Sequence, residues 1–195
     1  MHNCDWCDLS GEDKRFLLYE SGSWSVFLAD EQDYIGRCIL VSKRHCGSLS
    51  ELTDAEWDEL RELVRKLEAC LKAVLGAALC NWSCLMNSFY KEAAPDPHLH
   101  IHVRPRYAKP VTLGGNAYAD SEFGHHYALK RNGKIPAGDK EEVFILLREW
   151  LDPQPRSAST PTDRAPQSSA HAPGLRQENM TEEAAAQERF GGSND

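Results

Sequence analysis

Residues 95–107 read PDPHLHIHVRPRY, with His98, His100 and His102 at alternate positions and Leu99, Ile101 and Val103 between them. In an extended strand successive side chains point to opposite faces, so this spacing predicts one face of imidazoles and one aliphatic face buried in a core. Two histidines two apart on a strand can ligate one metal ion, since neutral imidazole is a common zinc ligand. A neutral imidazole whose other nitrogen is held as a donor can instead attack phosphorus, forming a phosphoramidate that water later cleaves. Flanking histidines would then hydrogen-bond the phosphate oxygens as charge shifts in the transition state. A third reading, histidines that only face solvent, suits a single histidine better than three in strict alternation. In the covalent reading His100 is the nucleophile, with His98 and His102 beside it. Arg104 and Arg106 continue the same phase and extend that face toward the outer phosphates of a polyphosphate, or else are exposed arginines at a strand end.

Cys4 and Cys7 in CDWC form a Cys-x2-Cys pair, whose geometry lets two thiolates grip one zinc, although no second such pair follows. A redox pair would be expected to open a helix in a βαβ unit, which the pattern lacks. Cys38, Cys46, Cys70, Cys80 and Cys84 read as small buried or half-buried hydrophobes. His125 and His126, in EFGHHY, have no alternating or helical partner and read as polar loop residues.

The elements that position these groups are legible. Phe16–Glu20 and Trp24–Ala29 read as strands joined by the turn residues Ser21-Gly22, and GRCILVS from Gly36 as a third. Thr53 with Glu56 three residues later has the form of a capping box. Behind it Trp57, Leu60, Val64, Leu67, Leu71 and Val74 recur at three- and four-residue spacing, predicting a long amphipathic helix that ends near Gly76. Asn81–Asn87 reads as a strand and the histidine strand as its antiparallel neighbour. DKEEVFILLREWL predicts a second helix before Pro153. Strands and helices in this order indicate an α+β domain, an antiparallel sheet covered by a helix.

The chain has 195 residues, long enough for one domain with a sizeable core. From residue 153 onward only Leu175, Met180 and Phe190 are large and apolar, so residues 1–152 are expected to form the domain and 153–195 a disordered tail. The formal charge of -8 implies no broad basic surface, which disfavours long nucleic acid as a partner. No run of apolar residues suits a membrane span and the first residues lack the apolar core of a signal peptide. With an odd count of seven cysteines, the expectation is a reduced, cytoplasmic protein.

HLHIHVR resembles the motif His-φ-His-φ-His-φ-φ, with φ apolar, of the histidine triad (HIT) superfamily of nucleotide hydrolases and transferases. Arg104 stands at the last φ as a departure. GRCILVSKRH resembles the family's strand ending in a histidine, CLMN sits where the strand before the triad belongs, and EFGHHY with the closing helix resembles a prokaryotic branch called diadenosine tetraphosphate hydrolase-like. The resemblance implies a HIT-like fold, often a symmetric dimer, that attacks the α-phosphorus of a nucleoside phosphate. His100 would become nucleotidylated, His102 would help bind the phosphate, and Asn87, eleven residues before His98, would hydrogen-bond the substrate. Asp30 fits the ribose-binding acid after a shift of one residue. The resemblance also implies a structural zinc held by Cys4, Cys7, His45 and His98. Where well-studied members carry Gly-Gln-Ser or Gly-Gln-Thr before the triad, this chain has Ala93-Ala94-Pro95, so the acid that protonates a leaving group is not identified. A dinucleoside polyphosphate, whose leaving group needs that acid least, is the favoured substrate. A nucleoside phosphoramidate substrate is the alternative within the enzyme class, and a non-catalytic nucleotide-binding protein the alternative outside it.

Overall fold

The computed structural model describes residues 4–126 and 133–153; the tail expected over 153–195 lies, beyond its first residue, outside them. Five strands form an antiparallel sheet: β1 (Leu17–Glu20), β2 (Trp24–Leu28), β3 (Cys38–Ser42), β4 (Leu79–Ser83) and β5 (His100–Arg106), in the order β1-β2-β3-β5-β4. β3 and β4 each run antiparallel to β5, which is inserted between them, and helix α1 (Asp54–Leu75) makes the crossover from one to the other. The histidine strand is therefore central. Alternation along it sends Leu99, Ile101 and Val103 into the core that Leu60, Leu63, Leu67 and Leu71 of α1 complete.

Helix α1 begins and ends where its local chemistry demands. Thr53 accepts from the Glu56 backbone N–H at 3.3 Å while the Glu56 carboxylate accepts from the Thr53 N–H at 2.8 Å, a closed capping box. Gly76, at φ 73°, turns the chain into the left-handed region, and the Ala77 N–H reaches back to the Leu71 carbonyl at 3.2 Å. Arg44 grips Glu56 with two bonds of 2.8 Å, and this partner together with the Thr53 bonds holds the Glu56 carboxyl down to about 2. Thr53→Ala should therefore cost about 1 kcal/mol, lowering the thermal midpoint by about 2–4 °C in a melt followed by circular dichroism.

Two elements differ from expectation. β4 starts two residues earlier than the strand read from the sequence and stops at Ser83, because pairing begins as soon as α1 ends: the Ala78 N–H donates to the Arg106 carbonyl at 2.8 Å. The chain then leaves the sheet, and Asn87 opens a 3-10 turn, Asn87–Lys91, instead of closing a strand. An unanticipated hairpin, β6 (Val111–Leu113) and β7 (Asn116–Tyr118), turns on Gly114 and Gly115, both at positive φ as a two-residue turn of this hand requires. Its Asn116 amide donates to Asp139 at 2.9 Å and its Tyr118 hydroxyl donates to the same carboxylate, fastening it to the start of helix α2 (Ala137–Leu151).

Candidate functional site

A turn in which the Cys7 N–H donates to the Cys4 carbonyl at 2.9 Å points both thiols inward. They meet His45, which follows β3, and His98, which leads into β5, and the ligand atoms of all four lie within 4.8 Å of one another. Cys4 Sγ is 3.2 Å and Cys7 Sγ 3.5 Å from His98 Nδ1, while His45 Nδ1 is 3.3 Å from both Cys7 Sγ and His98 Nδ1. Metal–sulfur and metal–nitrogen bonds of zinc length place tetrahedral donors about 3.3–3.8 Å apart, and these spacings, at 3.2–3.5 Å, come within a few tenths of an ångström of that arrangement. The outward nitrogens are also committed. His98 Nε2–H donates to the Ser42 carbonyl at 2.7 Å, and His45 Nε2–H to the Asp96 carboxylate at 3.0 Å. Both arrangements fix the ring and its tautomer, as the outer partners of metal-bound histidines do. Burial pushes the His98 pKa down, favouring the neutral ligand form. The set fits a structural zinc, because four protein donors leave no position for water.

His98 thus has both nitrogens engaged and none for a substrate. The next histidine is arranged differently. His100 Nδ1–H donates to the His98 carbonyl at 3.0 Å, and because a carbonyl only accepts, the neutral ring is held in the tautomer whose lone pair is on Nε2. The ring is 6% exposed. Trp6, carried between the two cysteines, stacks on it at 5.8 Å between centroids and 25° between planes, and Phe89 of the 3-10 turn meets it edge-on at 5.7 Å. His102 stands edge-on to His100 at 5.0 Å. Burial first, then the charges of His100, Arg37 and Arg104, push the His102 pKa down to about 4, which keeps that imidazole neutral around pH 7.

The arginines in phase with the triad are not exposed at a strand end. Arg104 is buried with its Nε on Asp33 at 3.2 Å, and the other Asp33 oxygen takes Arg37 at 3.0 Å. Arg106 shares the face as expected, but its guanidinium is spent internally: on Asp120 at 2.6 and 3.2 Å and on the carbonyls of Glu122 and His125. A buried fork held by this many acceptors acts first on the fold, tying the segment after β7 to the end of β5. Asp120→Ala should destabilise the fold by about 3–5 kcal/mol by stranding that buried cation, a loss that urea denaturation would measure.

Asp30 lies two residues beyond the end of β2, with its side chain 95% exposed and Lys140 Nζ at 3.0 Å. Together with Trp6, Leu9 and Phe16 it lines a cavity of about 490 Å³, within the range of small-molecule sites. Asn87 is exposed on the 3-10 turn. His125 and His126 are exposed too and line a second cavity, of about 710 Å³, with Phe123, Asn81 and Arg106 at the far end of the triad face. Reading the sequence missed Trp6, Phe89, Asp33 and Arg37. For Trp6 a signal existed: a residue between two cysteines that grip one ion is carried wherever the ion is held.

The model of the HIT domain matches residues 10–109, about half of the chain. The chain belongs to the HIT family. A hypothetical histidine triad nucleotide-binding protein of Sulfolobus tokodaii strain7 is similar to it, with 19% identity and a TM-score of 0.51 over 76% of this chain and 91% of that one. A zinc-bound histidine triad family protein of Mycobacterium smegmatis gives 18% identity and a TM-score of 0.52 over 76% and 93%. A histidine triad protein of Bradyrhizobium japonicum gives 16% and 0.53 over 74% and 97%. At these identities the likeness concerns the fold. Comparison with curated protein sequences yields no match. HIT proteins bind nucleotides and are commonly nucleotidyl hydrolases or transferases. No described helix of this one is long and apolar enough to cross a membrane.

Proposed function

We propose that this HIT protein is a nucleotide hydrolase or nucleotidyl transferase acting through His100 on a nucleoside polyphosphate, with a dinucleoside polyphosphate favoured. The observation that carries the reading is the His100 Nδ1–H bond to the His98 carbonyl, which selects, in the neutral ring, the tautomer that presents the Nε2 lone pair as nucleophile. Nε2 attacks the α-phosphorus, the bond from phosphorus to the bridging oxygen breaks, and its electron pair leaves with the outer phosphates. Water then attacks the same phosphorus, and the nitrogen–phosphorus bond breaks to release a nucleoside monophosphate. His102, neutral, donates a hydrogen bond to the phosphate oxygens as their charge rises. The cavity of about 490 Å³ beside Trp6, Leu9 and Phe16 suits the nucleoside, with Asp30 toward the ribose hydroxyls and Asn87, exposed on the 3-10 turn that carries Phe89, as a hydrogen-bonding partner of the substrate. Arg104 adds positive charge to the face, partly offset by its bond to Asp33. Zinc, held by Cys4, Cys7, His45 and His98, would fix the arm that carries Trp6.

The reading includes a homodimer: β4 is the last strand of the sheet, with Leu79 47% exposed on it, and sedimentation would show whether that edge is joined to a second copy. Release of nucleoside monophosphate from diadenosine tetraphosphate and from adenosine phosphoramidate, side by side and with His100→Asn as blank, tests the activity. Faster release from the first supports the polyphosphatase, faster release from the second the phosphoramidase. No His100-dependent release from either would contradict the enzyme reading and favour a binding protein.

A further inference from the structure

Arg37, given no role by the sequence, reaches the triad. It enters β3 two positions before Ile39, the residue paired with His102 across the β3–β5 ladder, so alternation puts Arg37 on the triad face. Its side chain is 12% exposed. Nη1 donates to Asp33 at 3.0 Å, Nη2 lies 3.5 Å from His102 Nδ1, and Nε is buried with no hydrogen-bond partner among the described residues. On the other flank Ser83, opposite His102 on β4, has a buried hydroxyl that also lacks a partner among the described residues.

Among Arg37, Asp33 and Arg104 the charges do not cancel. Asp33 is the carboxylate shared by Arg37 and Arg104, so these three side chains sum to one positive charge beside His102. Arginine stays charged at any working pH, and a partly buried charge acts on its surroundings through a lower effective dielectric than a surface one. With Arg37 Nη2 only 3.5 Å from His102 Nδ1, that charge acts directly on the triad. Such a field favours whatever becomes more negative during the reaction.

We propose that Arg37 is a specificity-determining residue, and that the net positive charge of the Arg37–Asp33–Arg104 cluster selects a leaving group that departs as an anion. This rests on the reading of His100 as nucleophile. A polyphosphate leaves with the electron pair of the broken phosphorus–oxygen bond on its bridging oxygen, and a neighbouring cation stabilises that charge without any proton transfer. An amine leaves a phosphoramidate as a neutral molecule after taking a proton, and gains nothing from the cluster. The cation would thus serve where Ala93-Ala94-Pro95 offers no polar side chain to the leaving group.

The test compares kcat/KM for diadenosine tetraphosphate with kcat/KM for adenosine phosphoramidate in Arg37→Gln, Arg37→Lys and Asp33→Asn proteins of confirmed fold. The ratio should fall about tenfold or more in Arg37→Gln, recover in Arg37→Lys, and rise in Asp33→Asn, which adds net positive charge. A purely structural role would move Arg37→Gln and Asp33→Asn the same way, and that result, or an unchanged ratio, overturns the proposal. Calorimetric binding of inorganic tripolyphosphate and of adenosine monophosphate to the same proteins needs no turnover. If the wild type turns over neither nucleotide, the catalytic reading fails and the leaving-group selection with it, and a selective loss of tripolyphosphate affinity in Arg37→Gln would then mark Arg37 as a polyphosphate-binding residue only. Equal losses for both ligands overturn the selection itself.

Discussion

Replacing His100 with asparagine should lower nucleoside monophosphate release by about a thousandfold or more, with fold and metal content retained. The asparagine amide can donate to the His98 carbonyl much as Nδ1–H does at 3.0 Å, so the strand keeps its internal hydrogen bond while the lone pair that attacks phosphorus is lost. His102→Asn should cost less, about 10²–10³, because it removes one hydrogen bond to developing charge and leaves the nucleophile. The ordering of these two losses separates a covalent role from a binding role. Substitution of His98 should act differently again, through metal content, since its Nδ1 faces the thiols and its Nε2–H is held by Ser42.

Loss of the metal is the second large effect expected. Purified protein should carry about one zinc per chain by elemental mass spectrometry, and Cys4→Ser with Cys7→Ser should carry none. A site filled at a thousandfold its dissociation constant stabilises by about 4 kcal/mol, so the thermal midpoint should fall by about 8–16 °C in the double variant or after chelation. The pH dependence has a definite sign. Desolvation and the neighbouring Cys4 push the metal-free Cys7 thiol up to about 11, so the cation must displace protons to bind, and retention weakens as pH falls. Turnover should fall with the metal, because the turn that brings both cysteines together also lays Trp6 on the His100 ring.

The alternation in HLHIHV assigned the aliphatic and histidine faces of β5, and the Thr53–Glu56 box with Gly76 marked both ends of α1, because each rests on local chemistry that tertiary context reinforced. The zinc set was legible only through family resemblance, since its four donors come from three separated segments that the fold alone brings together. Arg106 shows the limit of periodicity: phase fixes the face of a side chain but not its partner, and Asp120 lies fourteen residues on. Arg37 and Asp33 were hidden for the same reason, as two residues of a loop meeting a histidine 65 positions from Arg37. β4 was misplaced because an apolar run gives no edge to a strand, whereas the end of α1 does. The Gly114-Gly115 turn was readable in principle, as two glycines between short apolar runs, but the strands they join are only three residues each.

The most direct test of the central claim is to mix the protein with diadenosine tetraphosphate, quench in base, where a phosphoramidate survives, and map the modified peptide by mass spectrometry. The account predicts a nucleotidyl group on the peptide spanning residues 95–106, located at His100 by fragmentation and absent from His100→Asn. Turnover that proceeds with no such adduct, or an adduct on His102 instead, would contradict it.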